Sequence, residues 1–360
     1  MTSPIITEAV RTLVERRDLT RLEAAAAMEA IMSGAATNAQ IAAFLTALRM
    51  KGEVVEELIG FAQVMREKVT RIRSRVDEAL TGTEREMLID TCGTGGDASG
   101  TFNISTATAF VVAGAGLRVA KHGNRSMSGL TSSSLCGSAD VVEALGVNLD
   151  LDPDQVTRCV DELGIGFLYA PLLHTAMKHV MAARREIGIR TVFNLLGPLT
   201  NPAGANAQVI GVASASLTEP LARVLAELGT LRAFVVHGSD NLDELSTTGE
   251  SRVSEVREGN VRTFSVRPED FGLPRASIRD LQGGDRVQNA QIIRSILAGE
   301  PGPKRDIVVM NASAALVVGA RARDLREGVT LASKSIDGGA ARGKLEGLVA
   351  LSQEMSQAKK

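Results

Sequence analysis

The sequence predicts an α/β protein with a small all-helical N-terminal domain and a larger domain in which helices flank a mostly parallel sheet. Two observations predict this fold class. Residues 1 to about 70 contain only helical patterns, whereas short apolar runs alternate with helical stretches from residue 87 onward. Such alternation is typical of parallel strands with helices on both faces. The 360 residues, 44% of them hydrophobic, are enough for more than one domain.

The N-terminal region has clear helix boundaries. Thr20 with Glu23, and Thr37 with Gln40, form capping boxes that each begin a helix, and Gly52 stands where the second of these helices would end. A third helix follows over residues 54–65. Short loops between such helices indicate a small antiparallel bundle. Because a bundle of this size buries little apolar surface alone, we expect it to dock on the rest of the chain or on a second subunit.

The charged stretch 66–84 is interpreted as the connection between domains, with the boundary at residue 75 and the α/β domain over residues 76–360. Seven strand-like runs are predicted at 87–89, 117–120, 166–168, 209–212, 233–236, 252–256 and 261–266. Later helices are predicted at 287–297, 306–323 and 343–357. Asp90, Lys121 and His237 lie just past strand ends, the edge at which parallel sheets bind ligands.

Composition excludes several classes of protein. Forty basic against forty-two acidic residues, with only 3% aromatics, give no support for nucleic-acid binding. Three cysteines without a CxxC pattern indicate neither a disulfide framework nor a zinc site. The charged N-terminus is unlike a signal peptide, and the apolar runs are too short to span a membrane. We therefore expect a soluble cytoplasmic protein without nucleic-acid or membrane partners.

A glycine-rich segment after the first strand predicts an anion site. Gly93, Gly95 and Gly96 allow positive φ angles and close approach of the backbone to a ligand. The next helix would begin at residues 103–106, and its free N–H groups suit a phosphate. The alternative is a purely structural role, as a tight turn in a parallel sheet. We rank that alternative lower, because glycines and polar side chains occur together again in a second loop.

The second loop, residues 121–126, narrows the class of anion. A dinucleotide site requires an acidic residue about 20 positions after the glycines, but Lys121 stands at that point. No Gly-Lys-Ser/Thr sequence follows the first loop, which argues against a Walker-type nucleotide site. Two glycine-bearing loops, one of them rich in Lys, Arg and Asn, favour a phosphorylated sugar.

An acidic pair, Asp243 and Glu244, follows the strand predicted at 233–236. Adjacent carboxylates in a loop suit Mg²⁺, which usually also holds substrate phosphates. A solvated acidic turn is the alternative, and it would be preferred for an isolated pair. Opposite two anion loops in a parallel sheet, the magnesium interpretation is preferred.

Together these motifs identify a resemblance. Residues 93–97, 103–106, 121–126, 194–202 and 243–244 occur in the order found in the anthranilate phosphoribosyltransferase family, over nearly the whole chain. The resemblance implies transfer of a phosphoribosyl group from phosphoribosyl pyrophosphate (PRPP) to the amine of anthranilate in tryptophan biosynthesis. It also implies Mg²⁺ as cofactor, a homodimer formed through the helical domain, and a helical domain that includes helices from residues 170–188.

The resemblance also implies which residues bind PRPP, anthranilate and the metal. For PRPP they are Gly93, Gly96, Asp97, Thr101, Asn103, Ile104, Ser105, Thr106, Lys121, His122, Gly123, Asn124, Arg125, Ser126, Ser128 and Ser138. For anthranilate they are Gly93, Asn124 and Arg184, and for the metal they are Ser105, Asp243 and Glu244. No acid or base is assigned, since an aromatic amine is already neutral at pH 7. The segment 126–138 is longer than is usual in the family.

Three other functions compete with this interpretation. A nucleoside phosphorylase would share the fold, but free phosphate requires no acidic metal pair. A catalytically silent relative that binds nucleic acid would require a basic surface, which the net charge of −2 does not support. A regulatory module that binds phosphorylated sugars is the third, and the metal pair argues against it.

Overall fold

The computed structural model describes residues 2–73, 86–97, 99–126 and 136–357. The α-helices in these ranges are α1 Pro4–Val14, α2 Arg21–Met32, α3 Asn38–Lys51, α4 Val55–Lys68, α5 Ile104–Gly114, α6 Ser138–Ala144, α7 Pro153–Leu163, α8 Ala170–Leu173, α9 Lys178–Ile187, α10 Phe193–Leu199, α11 Thr218–Glu227, α12 Arg286–Leu297, α13 Pro303–Val318, α14 Leu325–Asp337 and α15 Ala340–Gln357. The strands are β1 Leu88–Gly93, β2 Arg118–Gly123, β3 Ile165–Tyr169, β4 Ala207–Gly211, β5 Arg232–Gly238, β6 Ser251–Arg257 and β7 Asn260–Val266.

Local capping signals define the N-terminal bundle. Thr20 accepts a hydrogen bond from the N–H of Glu23 and donates its own N–H to the Glu23 carboxylate, and Thr37 and Gln40 form the same reciprocal pair. Both predicted capping boxes are thus confirmed. Helix α9 packs against α2 and α3, although more than a hundred residues separate it from them in sequence.

One sheet within the described residues has the strand order β3-β2-β1-β4-β5-β6-β7. The first five strands in this order are parallel, and β6 and β7 add an antiparallel hairpin at one edge. The mostly parallel sheet is thus confirmed. After β3 the chain crosses to the other side of β1, so that β1 and β4 flank the point where the winding direction reverses. Such switch points open a crevice at the carboxyl ends of the strands.

Alternate side chains of each strand enter two separate cores. Val209 and Phe234 face helices α5, α12, α13, α14 and α15, whereas Ile210 and Val235 face α10, α11 and the N-terminal bundle. The bundle therefore packs directly on one face of the sheet.

The C-terminal helices differ from prediction in one place. The helix expected over 306–323 ends at Val318, because Ala320 adopts a positive φ of 57°. A separate helix, α14, then begins after Asp324, whose side chain accepts the N–H of Glu327. Sequence inspection missed α14, although this capping residue signals its start. None of the helices in the described ranges combines the length and hydropathy that crossing a membrane requires.

Candidate active site

A cavity of about 360 Å³ opens at the carboxyl ends of β1 and β2 and beside the loop that follows β5. Most of the residues predicted for the site line it. They are Gly93, Gly96, Asp97, Thr101, Asn103, Ile104, Ser105, Lys121, His122, Gly123, Asn124, Arg125, Ser126, Ser138, Arg184, Asp243 and Glu244. Thr106 does not line it, because its side chain is buried on another side of helix α5. Ser128 lies outside the described residues.

The glycine loop after β1 is packed against charged side chains. Gly96 has a φ of 80°, and a Cβ at this position would lie 1.1 Å from Nη1 of Arg190. Arg190 also donates from Nη2 to the carbonyl oxygen of Thr94, at 3.2 Å. On the other side, the N–H of Gly95 donates to Oδ2 of Asp243 at 2.9 Å. A side chain at position 96 would be strained by the positive φ and would have to displace the guanidinium group of Arg190.

The side chain of Glu244 faces the N-terminus of helix α5. Both the N–H and the hydroxyl of Ser105 act to lower the pKa of the Glu244 carboxyl group, although burial has the larger, opposite effect. Such an arrangement is favourable, because helix N-termini present free N–H groups and a positive dipole end.

Lys121 lies beneath this helix N-terminus and is only 3% exposed. Its ammonium group donates to the carbonyl oxygen of Thr91 and to Oγ of Ser105. The prediction placed this cation in contact with pyrophosphate. In the structure its contacts are with protein groups, so its charge acts on the site through Ser105 and the nearby Glu244.

Three carboxylates lie close together at the mouth of the crevice. Burial raises the pKa of Asp243 well above its usual range, and the charges of Asp97 and Glu244 raise it further. Burial also raises the pKa of Glu244 to about 8, although Lys121 and Ser105 partly offset this effect. A cation would relieve the repulsion within such a cluster.

Hard oxygen donors of this kind suit Mg²⁺. Within the described ranges, however, no group of three or more His, Cys, Asp or Glu side chains is arranged to hold a metal ion unaided. Mg²⁺ commonly uses one or two carboxylates together with substrate phosphates. Asp243 and Glu244 therefore fit a metal that arrives with a phosphorylated substrate.

The second loop is held by acidic side chains of helix α6. Arg125 forms ion pairs with Glu143 at 2.7 Å and Asp140 at 3.1 Å, and it also donates to the hydroxyl of Tyr169. The other carboxylate oxygen of Asp140 accepts the N–H groups of Ser126 and Gly137, at 2.9 and 3.0 Å. Asp140 thus ties together both ends of the long segment between these two residues.

The opposite wall of the cavity suits an aromatic acid. Arg184 of helix α9 lies 5.3 Å from the ring of Phe193, and burial lowers the pKa of its guanidinium to about 10, so it remains cationic at neutral pH. His122 and His174 face each other with their Nε2 atoms 3.2 Å apart. Burial lowers the pKa of His122 to about 3 and that of His174 to about 4, so both rings are neutral at pH 7.

Sequence reasoning missed several residues that shape the site. Arg190 is one, and it lies in the segment between α9 and α10. Asn201 is another: its amide donates to Oδ2 of the buried Asp90 at 2.8 Å and to the carbonyl oxygen of Ala120 at 2.9 Å. Asn201 belongs to the motif 194–202, which was the only indication in the sequence that this residue matters. Its partners Asp90 and Ala120 are both far from it in sequence.

Comparison with known proteins is consistent with this geometry. Residues 85–342 match the α/β domain of a glycosyl transferase family, and residues 7–69 match the helical bundle domain of that family. The anthranilate phosphoribosyltransferase of Symbiobacterium thermophilum is 58% identical over 337 residues, which cover 94% of this chain and 95% of that protein. That of Geotalea uraniireducens is 54% identical over 355 residues, which cover 97% of this chain and 100% of that protein.

Solved structures agree with these matches. The anthranilate phosphoribosyltransferase of Thermus thermophilus superimposes with a TM-score of 0.87 at 42% identity, covering 96% of this chain and 99% of that one. The Saccharomyces cerevisiae enzyme in complex with PRPP and Mg gives a TM-score of 0.85 at 26% identity, covering 98% of this chain and 99% of that one.

Proposed function

The chain belongs to the anthranilate phosphoribosyltransferase family, and we propose that it transfers the phosphoribosyl group of PRPP to the amine of anthranilate. The products are N-(5-phosphoribosyl)anthranilate and pyrophosphate, and the reaction is a step of tryptophan biosynthesis. One observation carries the proposal for this chain. The glycine loop, the N-terminus of α5 and the acidic pair Asp243–Glu244 line the same cavity as Arg184. A phosphorylated sugar and an aromatic acid would therefore lie side by side.

In the proposed reaction the amine nitrogen attacks C1 of the ribose, the bond from C1 to the pyrophosphate oxygen breaks, and the nitrogen then loses a proton. The guanidinium of Arg184 would pair with the anthranilate carboxylate and orient the amine. We assign no general base, because the amine is neutral and because both His122 and His174 are buried and hydrogen-bonded to each other.

The PRPP site would comprise the two loops and the N-terminus of α5. Asp243, Glu244 and the hydroxyl of Ser105 would hold Mg²⁺, which would neutralise the charge that develops on the departing pyrophosphate. Free N–H groups at the N-terminus of α5 would bind phosphate oxygens. Lys121, which lies beneath the N-terminus of α5, would balance the remaining negative charge of the phosphates and carboxylates.

We also propose the domain division 1–75 and 76–360, with helices of residues 170–188 joined to the first domain. The packing of α9 against α2 and α3 supports it. A homodimer through the helical domain is supported by exposed apolar side chains on α1, α2 and α3, namely Ile5, Val14, Leu22 and Met50. Sedimentation at micromolar concentration would test the dimer. A cytoplasmic location and small-molecule substrates, without nucleic-acid or membrane partners, complete the proposal.

The testing experiment follows anthranilate fluorescence over time with PRPP, with and without Mg²⁺. A magnesium-dependent loss of fluorescence is expected. If no loss occurs while calorimetry still detects PRPP binding, the acceptor is a different amine. If neither is seen, the proposed function is wrong.

A further inference from the structure

The acidic pair lies on a loop that has no regular structure of its own. Residues 239–250, all of which the structure describes, form neither helix nor strand and connect β5 to β6. A metal site that depends on the positions of two carboxylates requires this loop to be held by contacts from outside it.

Two apolar side chains anchor the loop on either side of the pair. Leu242 is 0% and Leu245 is 1% exposed. On the N-terminal side, the carboxylate of Asp240 accepts hydrogen bonds from the hydroxyls of Ser246 and Thr248, at 2.7 and 2.6 Å. The hydrogen bonds of Asp240 shape the loop, but they are internal to it.

One contact that fixes the loop to the rest of the domain, directly beside the acidic pair, comes from Asn311 in helix α13, which is 1% exposed. Its Oδ1 accepts the N–H of Leu245 at 3.0 Å, and its Nδ2 donates to the carbonyl oxygen of Leu245 at 2.9 Å. Nδ2 also donates to the carbonyl oxygen of Ile307, one helical turn earlier, at 2.9 Å. The amide therefore bonds both backbone polar groups of the residue that follows Glu244.

Only one orientation of the Asn311 amide satisfies these contacts. If the amide were flipped, its oxygen would face two carbonyl oxygens and its NH₂ group would face an N–H group. No other natural side chain of this length offers two donors and an acceptor in one plane. The position thus selects for asparagine, although it lies 66 residues from its partner and does not line the cavity.

We propose that Asn311 is a positioning residue for the metal-binding pair: by fixing the peptide groups of Leu245, it sets the position of Glu244 and, through it, of Asp243. This inference rests on the proposed role of the pair in holding Mg²⁺ with PRPP. Residues that do not bind the metal themselves but hold its ligands in place typically change metal affinity by about 10–100-fold when they are removed.

The test compares Asn311→Ala with Ser313→Ala. Ser313 lies in the same helix, is fully buried, and donates a hydrogen bond to the carbonyl oxygen of Leu325, away from the acidic loop. Mn²⁺ binding to each protein in the presence of PRPP is measured by electron paramagnetic resonance, and turnover is measured against Mg²⁺ concentration. Asn311→Ser is a second variant, because its hydroxyl can still bond to Ile307 and preserve the helix.

We expect both Asn311 variants to weaken Mn²⁺ binding at least about tenfold. The Mg²⁺ concentration for half-maximal turnover should rise by a similar factor. We expect Ser313→Ala to change Mn²⁺ binding and the Mg²⁺ requirement by less than about twofold, because Ser313 is buried but does not contact the loop. Unchanged Mn²⁺ binding in a folded Asn311 variant would overturn the proposal, even if that variant unfolds at lower urea concentration. If the wild-type protein itself binds no Mn²⁺ with PRPP, the proposed function fails instead.

Discussion

Gly211, the last residue of β4, offers a steric test of the acidic loop from a position that does not itself line the cavity. A Cβ at this position would lie 1.5 Å from the carbonyl oxygen of Asp243 and 2.3 Å from its carbonyl carbon. Since real Cβ contacts below 3.0 Å essentially do not occur, the two groups must separate by at least about 1.5 Å in Gly211→Ala.

The loop, rather than the strand, is the part that would move. Gly211 is paired with Gly93 of β1 on one side and Val236 of β5 on the other, so β4 is held in the middle of the sheet. A displacement of 1 Å at a catalytic group can cost about 100-fold in rate. We therefore expect turnover to fall by about 100-fold or more, and overpacking to cost about 1–3 kcal/mol of stability.

The assay is the loss of anthranilate fluorescence at saturating PRPP and Mg²⁺, with urea unfolding measured in parallel. Gly343→Ala in helix α15 is the matched control, since its Cβ would meet nothing within 4 Å. This control should keep wild-type turnover and gain about 0.5–1 kcal/mol from helix propensity. Wild-type turnover in Gly211→Ala would refute the view that the position of this loop determines activity.

Three other predictions concern charged and titratable groups. Asp243→Asn and Glu244→Gln should each lower turnover by at least about 100-fold, since each removes a proposed metal ligand; wild-type rates at saturating Mg²⁺ would contradict this. Arg184→Lys keeps the charge but loses the forked contact, so the KM for anthranilate should rise about 10–100-fold while that for PRPP is unchanged; a shift confined to PRPP would show that Arg184 has another role. Because burial lowers the pKa of His122 to about 3 and of His174 to about 4, their stabilising contribution is complete above pH 6.5, their ordinary pKa, and declines as pH falls below it. In urea unfolding, the stability of the wild type relative to His174→Gln should therefore fall by up to about 2 kcal/mol between pH 7 and pH 5. The comparison with the variant is needed because the raised pKa values of Asp243 and Glu244 change stability in the opposite direction.

The parts of the molecule that could be predicted from sequence are those set by neighbours in the chain. The capping boxes at Thr20 and Thr37 join residues three positions apart, so the pattern contains both partners. The glycine loop and the start of α5 could be located for the same reason. The contacts of Arg125 with Glu143 and of Lys121 with Thr91 could not, because tertiary packing brings these partners together.

The same limit explains the residues that were missed. Arg190 packs on Gly96, and Asn201 bonds to Asp90 across 111 positions of sequence. A single sequence shows that such residues are polar and lie near a motif, but it does not show what they contact. A buried amide such as that of Asn311 gives even less signal, because it directly follows the apolar run Ile307 to Met310 of its helix.

The continuous core between the helical bundle and the sheet has a consequence for how the protein can be divided. Phe44 and Leu58 of the bundle belong to the same apolar cluster as Ile210 and Val235 of the sheet, with Leu225 of α11 between them. A fragment that ends at residue 69 would expose the surface that these side chains now share, and the remaining chain would expose one face of its sheet. The boundary between the two matched domains therefore does not separate independent folding units, and in heat or denaturant the two parts should melt as one cooperative unit.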